Sequence, residues 1–288
     1  MASMRDIKRR KGSIQSTQQI TKAMKLVSTV KLQRAKTRAD AAKEYFNCMY
    51  DTIHSMLEKT GNSSSPYLVK NESKKCAVVV ITSNRGLAGG YNSNIVKLVA
   101  SSDIPKEDAY IYAIGKKGKD GLARFGYEIK ADDSDMIDEP QYPDAKKLCE
   151  ELLAEYTAGN IGEIYIAYTK FKNTVTHIPT LTKLLPIDTS SEDKKSDAVK
   201  TSEAIMNYDP EDDEALELII PKYVASMIYG GLLEASASEN GARMQAMDSA
   251  TSNAEEMIDK LSLQYNRARQ SSITQELTEI VAGAEAIN

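Results

Sequence analysis

The 288-residue chain contains no tryptophan, three phenylalanines, three cysteines and two histidines. His54 and His177 lie far apart in sequence, so a histidine-based metal site or a Ser-His or Cys-His nucleophile is not expected, and both read as structural. Cys48, Cys76 and Cys149 are odd in number and form no C-x-x-C pair, which excludes a disulfide framework or a zinc site and fits a reducing compartment. No run approaches 18 uninterrupted apolar residues, so no bilayer span is expected. The N-terminal charges are not followed by an apolar stretch, so no secretory signal is expected either. With 41% hydrophobic and 27% charged residues, the chain is neither fibrous nor wholly disordered, and it is long enough for one or two domains.

Proline is also unevenly spread. None occurs between Met4 and Glu58, and none follows Pro221. In the first of these stretches Ala35, Ala39, Ala42, Phe46, Met49, Ile53 and Met56 recur at alternating steps of four and three, the seam of a coiled coil. Ile7, Ile14, Ile20, Met24 and Val27 continue an apolar stripe upstream less regularly. In the second stretch Val224, Ile228, Gly231, Ala235, Ser238 and Ala242 repeat the spacing, as do Ile273, Leu277, Ile280, Ala284 and Ile287 near the end. Between these blocks the phase moves through Ala246, Ile258, Leu261 and Tyr265, which predicts a seam that shifts around the helix. Helices of roughly 80 and 100 Å are implied by the α-helical rise, the second outlasting the first.

Charge supports pairing of the two ends. Residues 1–60 hold 13 Lys and Arg against 5 Asp and Glu, and residues 211–288 hold 5 against 14. Opposite charge on the two ends suggests that they lie against each other, whereas a nucleic-acid-binding reading would need the positive end unpartnered.

Between them, Cys76–Thr82, Ala109–Gly115 and Glu163–Thr169 read as strands covered on both faces, with helices at Ser93–Ser101, Lys117–Phe125 and Asp144–Thr157. The stretch after Thr174, ending near Leu185, adds an edge strand. The fold class expected is α/β: long N- and C-terminal helices forming an antiparallel coiled coil, flanking a central, mainly parallel, Rossmann-like α/β domain. The expected boundaries are 1–60 for the N-terminal helix, 61–187 for the α/β domain, 188–217 for an acidic connector and 218–288 for the C-terminal helix. The connector carries 11 acids against 3 lysines.

Catalytic and cofactor signals are weak. The loop Ser83–Asn92 follows the first strand where a dinucleotide-binding turn would sit, but its glycines fall at 86, 89 and 90, giving G-x-x-G-G. Gly115-Lys-Lys-Gly-Lys-Asp-Gly121 lacks the G-K-[ST] of a phosphate loop. Both read as tight turns. No catalytic residue, cofactor or metal is expected.

Several segments carry a resemblance. Ile20-Thr-Lys-Ala-Met-Lys-Leu-Val27, with Lys31-Leu and Arg34-Ala behind it, is similar to the N-terminal helix of the gamma subunit of F-type ATP synthases. Ser83–Asn92 resembles the same family, which more often carries Asp where Asn84 stands. Ala242–Thr251 and Tyr265–Glu276 also read as family sequence, and Ile273-Thr274, Glu276, Glu279 and Gly283-Ala284 fit its C-terminal signature. Gly241 departs from the usual Ala, and glycine in an exposed helix implies a loosening of about 0.5–1 kcal/mol.

The resemblance implies a central rotor shaft that couples ion flow through a membrane ring to ATP synthesis or hydrolysis on a hexamer, with no catalytic site of its own. The partners it implies are three alpha and three beta subunits, the epsilon subunit and the c-subunit ring, with one gamma per complex, no nucleic acid and no direct lipid insertion. The expected location is peripheral, on the cytoplasmic face of the bacterial cell membrane. By the same resemblance, Lys22, Met24, Lys25, Arg243, Arg269, Gln270, Thr274 and Glu276 are contact residues toward the hexamer. Met24 reads nearly as well as a seam residue. The outer faces of both helices are expected to be polar, and the basic N-terminal face to meet acidic groups on beta. A coiled-coil scaffold carrying an α/β module is the alternative; a nucleotide-binding enzyme with helical arms would need a working phosphate loop.

Overall fold

The computed structural model describes residues 4–60, 66–68, 73–187 and 212–285. The elements in chain order are α1 (Met4–Thr60), β1 (Cys76–Ile81), α2 (Tyr91–Ala100), β2 (Ala109–Ile114), α3 (Lys116–Arg124), β3 (Glu128–Asp132), α4 (Tyr142–Thr157), β4 (Glu163–Phe171), β5 (His177–Leu185) and α5 (Asp212–Glu285). Short 3-10 turns precede β2 and α4. Most of the connector expected at 188–217 lies outside the described residues. Residues 212–217 are instead the first turns of α5, because Leu216 and Ile220 are fully buried in the core.

The chain divides into two compact units, one of residues 31–242 and the other of the two helix ends, residues 1–30 and 243–288. In the larger unit the sheet order is β3-β2-β1-β4-β5, parallel throughout except for the antiparallel β4–β5 pair. The apolar run of β1 is continuous because both its faces are covered. Ala77, Val79 and Ile81 face a core built with α4, α5 and the end of α1, while Val78 and Val80 face α2 and α3.

The strand β3 has no counterpart in the sequence-based expectation. Its five residues, Glu-Ile-Lys-Ala-Asp, alternate exposed and half-buried positions at the sheet edge, so it lacks the apolar run that marks β1, β2 and β4. The edge strand expected to end near Leu185 is β5.

The seam of α1 in this unit follows the expected positions. Ala35, Ile53 and Met56 are buried, and Ala39, Ala42, Phe46 and Met49 are partly covered. On α5 the stripe read as a seam packs on the sheet and its covering loops instead. A Cβ on Gly231 would meet Ile166 Cδ1 at 2.9 Å, Tyr91 Oη donates to the Ala235 carbonyl, and Ser238 Oγ donates to the Thr169 carbonyl at 3.0 Å. The face toward α1 is one position earlier. Gly230 lies against the Phe46 ring, and Phe46 makes an edge contact with Tyr229. Covered positions at 216, 219, 223, 226, 230, 233, 237 and 240 repeat the four-three step without a break. Two buried stripes on one helix therefore produce the apparent phase drift.

α5 contains an 18-residue window with mean hydropathy 1.3, long and apolar enough to cross a membrane by length and composition alone, and 56% of that window is buried within the fold. Its apolarity serves the two packed stripes.

In the smaller unit the two helix ends run antiparallel, with Thr21 beside Thr251 and Lys25 beside Asp248. The α1 seam here is Ile7, Lys11, Ile14, Gln18, Thr21, Lys25 and Ser28. It is mostly polar, and Ile20 and Val27, expected in the seam, are 60% and 57% exposed. Opposite it, Met247 and Ala254 are buried, and Ile258, Leu261 and Tyr265 are partly covered. At this register Met4 falls near residue 268, so α5 continues beyond its partner. Ile273, Leu277 and Ile280 are accordingly exposed rather than seam residues. The Ala284 side chain and Ile287 lie outside the described residues.

Candidate partner-contact surface

The residues assigned to partner contact fall into two groups on the smaller unit. Lys22 is exposed, and Met24 and Lys25 are partly covered. Lys25 Nζ donates to Asp248 Oδ1 at 2.6 Å, a half-exposed ion pair that ties the two helices at this level. Met24 adjoins the seam without occupying its centre, which belongs to Thr21, Lys25 and Ser28. Arg243 is half-buried. The second group, Arg269, Gln270, Thr274 and Glu276, is exposed on the part of α5 that lies beyond the described residues of α1. Thr274 Oγ1 donates to the Gln270 carbonyl within the helix. About 32 Å of helix separates Asp248 from Arg269 at the α-helical rise, so the two groups form separate surfaces.

The outer faces are not uniformly polar as expected. Ile20, Leu26, Val27 and Val30 are all more than half exposed, as are Leu263, Leu277 and Ile280 on α5. These apolar side chains are left uncovered by the described residues. Their signal was present in the 20, 23, 27, 30 spacing of α1, which lies beside the true seam and runs parallel to it.

The two glycine-containing loops of the larger unit close on each other. The amide of Lys116 donates to Asn84 Oδ1, that of Lys117 to the Ser83 carbonyl, and that of Gly118 to Thr82 Oγ1. The first turn of α3 is thereby satisfied by protein atoms, whereas a phosphate loop presents such amides to its ligand. Gly115, at φ 111°, is needed for this approach, since a Cβ there would lie 2.2 Å from the Thr82 carbonyl oxygen. Asn84 Nδ2 also donates to the Ser134 carbonyl and to Asp138 Oδ2. Asparagine rather than aspartate thus suits a site whose other partners are acceptors. Leu87 on the same loop combines a φ of 65° with an exposed apolar side chain.

Cys76 and Cys149 are buried and Cys48 is exposed. Burial, with Glu163 adding to it, pushes the Cys76 thiol up to about 11, and burial with Glu150 pushes Cys149 up to about 12. His177 is held below the ordinary imidazole range by burial, against an opposing pull from the Thr174 backbone. The His54 side chain lies outside the described residues. Among the described residues no three His, Cys, Asp or Glu side chains gather as metal ligands would.

A family model described as ATP synthase matches residues 3–287. An ATP synthase gamma chain of Lachnoclostridium phytofermentans is 65% identical, with both chains covered completely. The sodium ion specific ATP synthase gamma chain of Acetobacterium woodii is 42% identical over 99% of each chain. Among solved structures, a chain from the central stalk and c-ring of the Tetrahymena thermophila mitochondrial ATP synthase superposes with a TM-score of 0.60 at 24% identity, covering 80% of this chain and 99% of that one. A chain of the Euglena gracilis mitochondrial ATP synthase gives a TM-score of 0.57 at 18% identity, covering 92% and 95%. These two share the fold. The chain belongs to the ATP synthase family, and within it to the gamma chains.

Proposed function

We propose that this chain is the central rotor shaft of a membrane ATP synthase, coupling ion flow through the membrane ring to nucleotide chemistry on an alpha/beta hexamer. The antiparallel pairing of two long helix ends, with α5 continuing beyond α1, carries the reading. Full-length identity to gamma chains supports it. In this role the chain is non-catalytic. One copy turns inside three alpha and three beta subunits, with the α/β domain toward the epsilon subunit and the c-ring, on the cytoplasmic face of the bacterial membrane.

Lys22, Met24, Lys25 and Arg243 then meet the hexamer at one level, and Arg269, Gln270, Thr274 and Glu276 at another. The exposed apolar residues Ile20, Val27 and Val30 add contact area that charge alone would not supply. Exposed ion pairs contribute only about 0–1 kcal/mol each, so contacts of this kind form and break readily during rotation.

An affinity-tagged chain recovered from membranes washed at low ionic strength should bring alpha and beta subunits with it. Recovery without them would remove the reading. Replacing Arg269, Gln270 and Thr274 by alanine should weaken that recovery while leaving the unfolding of the chain itself unchanged. Unaltered recovery would remove those three from the contact set.

A further inference from the structure

β1 pairs with β4 only as far as Ala167, so among the described residues 168–171 of β4 have β5 on one side and no strand on the other. α5 closes that open side. A Cβ on Gly231 would lie 3.6 Å from Tyr168 Cγ, and Ser238 Oγ donates to the Thr169 carbonyl at 3.0 Å. A Cβ on Gly241 would lie 3.6 Å from Phe171 Cε2 and 2.8 Å from His177 Cε1. Gly241 is therefore fitted to the hairpin and is not a loosened point of the helix, which corrects the sequence-based reading.

Glu234 lies between Gly231 and Ser238 on this side of α5. The Phe171 amide donates to its carboxylate, and Oε2 is shut away from solvent. The charged groups acting on it are the ammonium groups of Lys170 on β4 and Lys43 on α1, both exposed residues. The other titratable group beside it is the Tyr168 phenol. Burial, with Glu234 and Tyr223 adding to it, pushes that phenol up and keeps it protonated.

Exposed ammonium groups are screened by water and compensate a buried carboxylate weakly. One amide does not replace the hydration that a carboxylate loses on burial. Burial accordingly prevails over Lys170, the Phe171 amide and Lys43, and holds the Glu234 carboxyl above the ordinary 4.5. The neutral acid is easier to bury and still keeps a carbonyl oxygen for the Phe171 amide.

We propose that Glu234 is a proton-responsive clip between α5 and the β4–β5 hairpin: uptake of a solvent proton at its carboxylate firms the docking of the hairpin, and release of that proton loosens it. Ser238 and Gly241 hold the same hairpin by contacts that do not titrate. His177, whose neutral ring is favoured by burial, responds to acid in the opposite sense.

Glu234→Gln tests the clip, because it holds the side chain neutral at every pH and keeps an acceptor for Phe171. A carboxyl whose folded value is raised costs no stability below about pH 4.5; the cost grows as pH rises toward the folded value and is complete above it. The full-length variant should therefore have a higher Tm than the natural chain at pH 7, and the gap should close as pH falls to about 4.5. His177 is common to both chains and cancels. A lower Tm for the variant at pH 7, or a gap that does not change with pH, would overturn the proposal. Should the variant not fold, hydrogen exchange in the natural chain decides. Protection of residues 168–180, corrected for the intrinsic exchange rate, should increase from pH 7 to pH 5, a direction that His177 opposes. Unchanged or falling protection would overturn the proposal equally.

Discussion

Thr21 and Thr251 place their hydroxyl oxygens 2.8 Å apart across the helix pair, while each hydroxyl also reaches a backbone carbonyl of its own helix, that of Gln18 or of Met247. Two protons thus serve three contacts, and the cross-helix bond forms only while one threonine releases its own carbonyl. Thr21→Val should cost up to about 1 kcal/mol, and Thr251→Val a similar amount. The double variant should cost less than the two together, since an apolar pair fills the same space with nothing left unpaired. Denaturant unfolding of the four proteins measures this; strict additivity would show that no bond spans the pair.

Two glycines in the long helices should respond to alanine with opposite signs. A methyl on Gly231 would meet Ile166 Cδ1 at 2.9 Å and Ile81 Cδ1 at 3.4 Å, crowding two fully buried side chains. Gly231→Ala should destabilise by about 1–3 kcal/mol. Around Gly12 nothing lies within 4 Å, so Gly12→Ala should stabilise by up to about 1 kcal/mol through helix propensity. The two Tm values, taken side by side, check the pair.

Asn84→Asp should be destabilising. The carboxylate would lose the two donated hydrogen bonds to Ser134 and Asp138 and would face the Asp138 carboxylate. A loss of about 1–3 kcal/mol is expected at pH 7. Adding Asp138→Asn should restore much of it, which urea denaturation of the single and double variants would reveal.

Thiol labelling should find one reactive cysteine in the native chain. Cys48 is exposed, whereas Cys76 and Cys149 are buried. With its thiol raised to about 11, roughly one Cys76 in ten thousand is ionised at pH 7. A maleimide reagent should modify Cys48 promptly and the other two only after denaturation. Rapid native labelling of two or three thiols would contradict the packing of β1 and α4.

The burial of His177 makes a signed prediction about acid. Its imidazole is held below the ordinary 6.5, so the folded state favours the neutral ring. Stability from that neutral ring is complete above about pH 6.5 and is lost as pH falls through the lowered folded value. His177→Gln has no such titration. The Tm gap between the natural chain and this variant should therefore narrow between pH 7 and pH 5, the carboxylates being common to both. A gap that stays constant would show that His177 does not titrate differently on folding.

The strands that sit at the centre of the sheet were legible because burial on both faces leaves an uninterrupted apolar run, as in Cys-Ala-Val-Val-Val-Ile of β1. β3 was not, since an edge strand keeps its polar alternation. The heptad of α1 from Ala35 to Met56 was readable because that part of the seam is apolar. Upstream, Gln18, Thr21, Lys25 and Ser28 occupy the seam while Ile20 and Val27 face outward, so hydrophobicity pointed to the wrong face. Extending the strict repeat backward from Ala35 would have found the right one. On α5, Gly231 and Gly230 serve different neighbours, a distinction that single-helix periodicity does not carry. The contact residues came from resemblance, and their division into two levels required the antiparallel register.

Between Leu216 and Ala242, α5 presents one stripe to α1 and another to the sheet, each interrupted by a glycine fitted to a specific side chain. A helix held on a single stripe can roll about its own axis by repacking that stripe. Held on two stripes at an angle, it is keyed like a splined axle. Torque applied to this stretch must turn Ile81, Ile166 and the Phe46 ring with it, so twist passes to the sheet without a slipping layer.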